Sequence, residues 1–443
     1  MQDGPAGYPL LGHLPPFLHD KLGFLLKCAS TNACVVKLKI GTLTFLLNDP
    51  EDIKHVLVTN HLNYDKSPRI TSKRGKRLFG EGLITSSGSA HLQKRHVLQP
   101  IFHRRVMADF ADVMVGSAEQ MLSGWEDGAE IDIALEMMGL TQRIMIKSLL
   151  GIDCREEAKG LCGAISVRRR YVEYMFRSLF PFPEYLPTRI NYEYRRAARR
   201  LDNIIYGMIR AQRGAAAPAN HMLAMLLKAR HEDGTLMSDR EIYDEVLTLS
   251  IAGYETIGEA LAWAWYLLSQ HPAEEALLLT ELHETLDGRA PGVADLPKLR
   301  YTAMVFYEAM RLYPPTWLFV RIAKQDDELP SGVKIPADSK LFLSPYAAHR
   351  NPRYFPNPEE FHPERFTDIS KRTRPRFAYF PFGGGPRVCI GEAFGTMEGV
   401  LLLACVAQRY KFSLIPGQKI VPEPGVTLRP REGIRMRLIQ RQL

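Results

Sequence analysis

The chain has 443 residues, 46% of them apolar and 24% charged, which describes a globular protein with ample core material and excludes a disordered or fibrous one. That length exceeds the usual ceiling for one hydrophobic core, so the chain either divides into domains or wraps around something large and apolar that serves as extra core. Lys+Arg 57 against Asp+Glu 49 gives a formal net charge of +8; scattered through the chain, it argues against nucleic-acid binding and leaves room for a basic face that meets an acidic partner.

The N-terminus, MQDGPAGYPLLGHLPPF, has neither a charged segment leading into an apolar one nor an arginine-rich amphipathic helix, so it reads as no targeting signal. No stretch approaches the roughly 20 apolar residues of a membrane span, GVLLLACVA near the C-terminus being far too short. A soluble, cytoplasmic chain is expected. The cysteines Cys28, Cys34, Cys154, Cys162, Cys389 and Cys405 form no CxxC pair and no dense framework, which argues against zinc ribbons and a disulfide scaffold.

In chain order, the first sixty residues hold the β-rich runs ACVVKLKI and TLTFLLND between turn signals,. A mostly helical stretch follows, from about Ala90 to Leu312. Proline-rich strand-and-loop sequence then leads to Cys389, an apolar helix runs from about Glu392 to Gln408, and a β-rich tail closes the chain. Only RGAAAPANH, near Ala216, reads as a flexible loop. The pattern is mainly α with small peripheral β-sheets, not an alternating βαβ chain.

The most informative helix begins at SDREIYDEVLTLSIAGYETIGEALAWAWYLLSQHP. Ser238 and Glu241 form a capping box and Pro272 marks the stop, bracketing about 32 residues, or ~48 Å. In its middle lies Ala252-Gly253-Tyr254-Glu255-Thr256. Two readings stay open there. One is a close helix crossing at Gly253 with Thr256 bonded to its own backbone; the other is a gap admitting a flat ligand, with a proton-handling pair beside it.

The stretch PFGGGPRVCIG presents Cys389 after Gly383, Gly384 and Gly385. Glycines permit backbone conformations closed to other residues and bring N–H groups close to an acceptor such as a metal-bound thiolate. Zinc would need three further ligands, which no nearby Cys or His spacing provides. A phosphate loop would need a Gly-Lys-Ser/Thr continuation, which is absent. A metal whose other ligands are not protein remains, and haem iron with one axial cysteine fits.

The run Phe382-Gly383-Gly384-Gly385-Pro386-Arg387-Val388-Cys389-Ile390-Gly391 resembles the haem-binding loop of the cytochrome P-450 superfamily. AGYET in the central helix, EAMR from Glu308 to Arg311 and PERF from Pro363 to Phe366 follow that family's order, and the likeness runs from GPAGYPLLGHLP to PGVTLRP. The resemblance implies a single domain over 1–443, with a β-rich portion over about 1–60, a helical body over about 61–312 and the cysteine loop with its flanks over about 313–443. Haem b would lie between the long central helix and the helix after the cysteine loop.

What the resemblance implies for the site is specific. Cys389 ligates iron, and Ala252, Phe382 and Gly391 pack against the haem. His91 (Trp in many relatives), Arg95, Arg321 and Arg387 meet its propionates, with His349 a weaker candidate. Glu308, Arg311 and Arg365 form a buried structural triad. Thr256, with Glu255, organises water and delivers protons; Ile257 stands where many relatives have a second hydroxyl. An apolar pocket is implied for Leu83, Ile84, Phe176, Phe180, Phe182, Ala252, Trp317, Leu318, Phe319 and Val426.

The implied reaction is O2 activation with two externally supplied electrons and hydroxylation or epoxidation of an apolar substrate of fatty-acid, terpenoid or polyketide-like type. A peroxide-driven peroxygenase, an isomerase and a non-catalytic haem sensor are the rivals, and the Glu255-Thr256 pair argues against them. No flavin or ferredoxin domain is present, so electrons from NAD(P)H would come through a separate ferredoxin or flavodoxin-type protein. It would dock on a basic surface of Lys371, Arg372, Arg374, Arg376, Lys94 and Arg104. A monomer without a nucleic-acid partner is expected.

Overall fold

The computed structural model describes residues 1–31, 33–152, 159–178, 182–213 and 220–442, with the side chains of 104, 105 and 159 excepted. Cys154, Phe180, the Arg104 side chain and most of RGAAAPANH lie outside the described residues.

A 32-residue central helix, Asp239–Gln270, organises the body. The Ser238 hydroxyl accepts from the Glu241 N–H at 3.3 Å, and the Glu241 carboxylate accepts from the Ser238 N–H at 2.8 Å. Two orphan donors are thereby satisfied at the start. The helix ends at His271 because Pro272, which lacks an N–H, opens the next helix, Pro272–Leu286,.

Small residues on the central helix set its contacts. A Cβ at Gly253 would lie 1.9 Å from Met145 Cε and one at Gly258 would lie 2.9 Å from Thr141 Oγ1, so the helix Ile133–Leu150 crosses closely on that side. Thr141 Oγ1 seals the crossing by donating to the Tyr254 carbonyl at 2.9 Å. On the other side Gly395, in the helix Glu392–Arg409 that follows the cysteine loop, admits Ile257, whose Cδ1 would meet a Cβ there at 2.8 Å. Gly399 likewise admits the Phe306 ring of the helix Arg300–Leu312, 2.3 Å from a Cβ. Helices packed this tightly leave little room to collapse, and truncating a buried core leucine such as Leu261 or Leu401 costs about 2–5 kcal/mol,.

The sheets are peripheral. A six-stranded sheet has the order Gln2–Asp3, Val35–Ile40, Thr42–Leu47, Lys340–Leu343, Phe319–Ala323, Tyr64–Lys66. Its strands therefore come from both ends of the chain. A three-stranded sheet joins Tyr410–Leu414, Arg435–Gln440 and Glu130–Asp132.

The first sixty residues are less β-rich than expected, for they also contain the helices Leu14–His19, Lys21–Ala29 and Pro50–Lys54. Asp20 caps Lys21–Ala29 by accepting from the Gly23 N–H at 2.9 Å, and Leu22, Phe24, Leu25 and Cys28 recur at helical spacing on its buried face,. No helix among the described residues is long and apolar enough to cross a membrane.

Candidate active site

The cysteine loop is shaped by what its glycines exclude. Gly383 and Gly385 have φ of 74° and 68°, the left-handed region that L side chains adopt only with strain. A Cβ at Gly385 would lie 1.9 Å from the Leu57 carbonyl oxygen. Val388 N–H donates to Gly385 at 3.0 Å and Cys389 N–H to Phe382 at 3.0 Å, which closes the loop under the sulfur.

Cys389 keeps accessible surface although it lies deep enough for burial to push its thiol pKa up. The Gly391 N–H, which hydrogen-bonds the sulfur, and the Arg95 charge act the other way and favour the thiolate,. Arg95 also donates to the Val388 carbonyl at 2.6 Å, tying the helix Gly88–Leu98 to the loop.

Within the buried middle of the central helix, Ala252, Gly253 and Thr256 alone between Ile251 and Ala260 remain half-exposed. Ala252 and Thr256, one turn apart, share a face. Ile257, the next residue on, meets Gly395, six residues past Cys389, so the central helix packs against the start of the helix that follows the cysteine loop. Both readings of the stretch have a counterpart: Gly253 sits at the close crossing with Met145, and Thr256 Oγ1 donates to the Ala252 carbonyl at 3.2 Å. That bond occupies the hydroxyl proton and leaves the oxygen able to accept.

Glu255 points elsewhere. Its carboxylate accepts from Thr427 Oγ1 at 2.7 Å and lies 3.8 Å from Arg169 Nη1. Burial raises its pKa against the pull of Arg169 and Thr427. One turn on, buried Glu259 has an oxygen without a hydrogen-bond partner and a pKa raised well above the usual range by burial. Glu173 and Glu423, linked through Arg177 and Arg429, continue the charged groups toward the surface.

Four cations gather around His91. Burial, followed by the charges of Lys66, Arg387, Arg95 and Arg321, pushes the imidazole down to about 3. Burial also takes Lys66 down to about 7 and Arg321 to about 10, with Arg387 depressing both. Lys66 and Arg321 are direct partners across an antiparallel strand pair, a placement that like charges ordinarily oppose. The carboxylate paired with the cluster is Asp65, 2.9 Å from Arg387, whose other nitrogen donates to the Tyr64 carbonyl. Positive charge thus exceeds negative inside the protein, which calls for anions from a bound group. A haem brings two carboxylates, and a thiolate-bearing loop beside a small-residue helix face suits its flat ring; these residues fit it.

Sequence reasoning missed Lys66. Its Nζ donates to the carbonyls of Leu83 at 3.1 Å, Ile84 at 2.8 Å and Ser86 at 3.1 Å. Glu245 of the central helix holds the same strap from the other side, accepting from the Leu83 N–H at 3.0 Å. The only trace in the sequence is a lysine in a short β-run, which reads as a solvated residue.

Glu308 and Arg311 form a fully buried two-point ion pair at 2.7 and 2.8 Å. Arg311 also donates to the carbonyls of His349 at 3.0 Å, Pro358 at 2.7 Å and Glu360 at 2.9 Å, and Arg365 Nε lies 3.3 Å from Glu308. His349 sits here and not among the cations near His91: it is fully buried and its Nε2 accepts from the Phe380 N–H at 2.9 Å.

Four residues sit otherwise than expected. Trp317 packs into the core of the N-terminal sheet and helices, its indole N–H on the Gly425 carbonyl at 3.0 Å, so it braces the tail turn. Phe182 is exposed at the surface. Arg374 is drawn inward, its guanidinium 4.2 Å from the Phe355 ring centre and bonded to the Arg365 carbonyl at 2.7 Å, and Lys94 lies 3.8 Å from Glu245; neither is a free surface charge. Of the other apolar residues, Phe176 stands edge-on to Phe79 at 6.0 Å between ring centres. Phe319 would touch a Cβ at Gly383 at 3.5 Å, next to the cysteine loop. Leu318 is half-buried, and the Val426 N–H donates to Glu173 at 3.2 Å.

The sequence model of the family described as cytochrome P450 matches residues 3–436. Cyclooctatin synthase of Streptomyces melanosporofaciens is 37% identical over 96% of this chain and 92% of its own. Cyclooctat-9-en-7-ol 5-monooxygenase of the same organism is 34% identical over 93% and 90%, and pentalenene oxygenase of Streptomyces avermitilis is 31% identical over 99% and 97%. Among solved structures, the cytochrome P450DA heme domain superposes with a TM-score of 0.87 at 24% identity, covering 100% of this chain and 98% of that one. A retinoic-acid-bound cyanobacterial relative gives 0.86 at 25% identity over 99% of each chain. With a family match over nearly its whole length, the chain belongs to the cytochrome P450 family and is a haem-dependent monooxygenase.

Proposed function

We propose that the chain hydroxylates a polycyclic terpenoid, with Cys389 as the iron ligand, Thr256 and Glu255 handling protons, and electrons arriving from a separate ferredoxin-type protein. A cysteine-ligated haem supplies O2 activation and insertion of one oxygen atom into an unreactive C–H bond. The observation that carries the substrate class is the identity of 37%, 34% and 31% over almost the whole chain to enzymes named for cyclooctatin, cyclooctat-9-en-7-ol and pentalenene.

This chain's own residues supply binding, orientation and proton supply. Leu83, Ile84, Phe176, Ala252, Leu318, Phe319 and Val426 offer apolar surface to a hydrocarbon skeleton. Lys66, His91, Arg95, Arg321 and Arg387 would hold the haem propionates, and Ala252, Phe382 and Gly391 would leave room for its ring. The Thr256 oxygen, its proton directed to Ala252, accepts from a water and fixes its position,. Glu255, protonated more readily than a surface glutamate because it is buried, holds a proton for delivery inward,. On the outer face, Lys371, Arg372 and Arg376 are exposed just ahead of the cysteine loop and offer a basic surface to an acidic electron donor.

The test is a titration of the haem absorbance with tricyclic terpene alcohols, fatty acids and polyketide lactones, then turnover with a ferredoxin and its reductase. Spectral shifts and hydroxylated product with terpenoids alone support the reading. A preference for fatty acids, or turnover with hydrogen peroxide and none with the redox chain, overturns it.

A further inference from the structure

A cleft of about 300 Å³ lies on a part of the molecule that shares no residue with the Cys389 loop or the cations around His91. Its walls are the helix Lys73–Phe79, the helices Lys159–Arg177 and Arg189–Arg213, and the first turns of the central helix. Lys76, Arg77, Arg168, Arg195, Arg199 and Arg240 line it, against Glu184, Asp202 and Asp244.

The three carboxylates are already engaged. Asp244 pairs with Arg240 at 3.0 Å, Glu184 lies 3.8 Å from Arg77, and Asp202 accepts from the Tyr243 hydroxyl. Lys76 pairs with Glu81 at 3.0 Å, outside the lining. The cations left over are Arg168, Arg195 and Arg199.

Arg168 is 3% exposed and has no carboxylate partner among the described residues. Its Nε donates to the Leu78 carbonyl at 2.9 Å and its Nη2 to the Arg77 carbonyl at 2.8 Å. A guanidinium has five N–H donors in a fixed fork, so these two bonds orient the group and leave further donors for the cleft. A buried arginine without a counter-ion is costly; here it is joined by Arg195 and Arg199, one turn apart on Arg189–Arg213, which hold no ion pair or hydrogen bond among the described residues.

We propose that this cleft is a binding site for a small phosphate-bearing anion, held by Arg168 at its floor and by Arg195 and Arg199 at its rim. Planar forks suit the paired oxygens of a phosphate, and the volume lies at the small end of the range for ligand pockets. Free phosphate compounds and phospholipid headgroups share this chemistry. The cleft is sized for the free compound.

The experiment is calorimetric titration of inorganic pyrophosphate into the haem-loaded enzyme at fixed ionic strength. The wild type is compared with Arg195→Ala/Arg199→Ala, with Arg199→Ala alone, and with Arg196→Ala, an exposed arginine on the same helix that does not line the cleft. The expected result is one pyrophosphate per wild-type chain, binding about tenfold or more weaker in the double variant and within about twofold of wild type in Arg196→Ala. Equal weakening in Arg196→Ala, meaning a diffuse basic surface, or no binding to wild type, overturns the proposal. So does arginine-dependent co-sedimentation with phosphatidic-acid vesicles in the absence of pyrophosphate binding. If the double variant loses its haem spectrum, Arg199→Ala carries the same comparison.

Discussion

Replacing Glu245 by Gln tests how the segment Leu83–Ser86 is held against the central helix. The carboxyl is fully buried, accepts from the Leu83 N–H at 3.0 Å, and has a cation no nearer than Lys94 at 3.8 Å. Burial therefore wins, and the pKa rises to about 7 from an ordinary 4.5. A carboxyl raised on folding binds more protons in the native state than in the unfolded one between those values, so stability falls as pH rises through that window. Integrated, the penalty grows by about 2–3 kcal/mol between about pH 5 and pH 8. Glutamine keeps an oxygen to accept from Leu83 and cannot ionise, so Glu245→Gln loses that slope while keeping the strap. The assay is urea unfolding of the haem-loaded protein at several pH values, wild type against variant. The expected outcome is near-equal stability at about pH 5 and a variant more stable by about 2–3 kcal/mol at about pH 8. Parallel curves across the range would mean that Glu245 is ionised throughout and paired with Lys94, and would refute the reasoning.

Three further outcomes follow from the geometry. Arg311→Leu strands buried Glu308 and three carbonyls and should cost about 3–5 kcal/mol, read as haem loss at lower urea; Glu308→Gln/Arg311→Leu should recover part of that, because no charge is left unpaired. Gly385→Ala forces φ of 68° on a residue whose Cβ would lie 1.9 Å from the Leu57 carbonyl, so its thermal unfolding should show a loss of about 3 kcal/mol or more. Thr256→Ala should keep fold and substrate affinity while product per reductant consumed drops by about an order of magnitude and peroxide rises; unchanged coupling would reduce the Thr256 hydroxyl to its bond with Ala252.

Much of the architecture was legible because it rests on local rules. The capping box at Ser238 and the stop at Pro272 fix both ends of the central helix, and the glycines before Cys389 mark a turn that only glycine can make. What the sequence could not display is pairing over distance. Lys66 becomes a half-buried cation only because its strand pairs with the one carrying Arg321, more than two hundred residues away. Arg374 looks like surface charge until Phe355 and Phe366 come beneath it. Glu255 and Thr256 are adjacent in sequence yet lie about 100° apart around a helix, so one meets Thr427 and Arg169 while the other bonds Ala252,.

The central claim, that Cys389 supplies the thiolate ligand of the haem, is tested most directly by the absorption spectrum of the reduced carbon-monoxide complex of Cys389→Ser. The loop geometry predicts that the variant folds, since Cys389 N–H still bonds Phe382 and the glycines are untouched, and that the thiolate signature seen in wild type disappears together with monooxygenation. Retention of that signature in the serine variant would contradict the account, because the iron would then have its sulfur ligand from another residue.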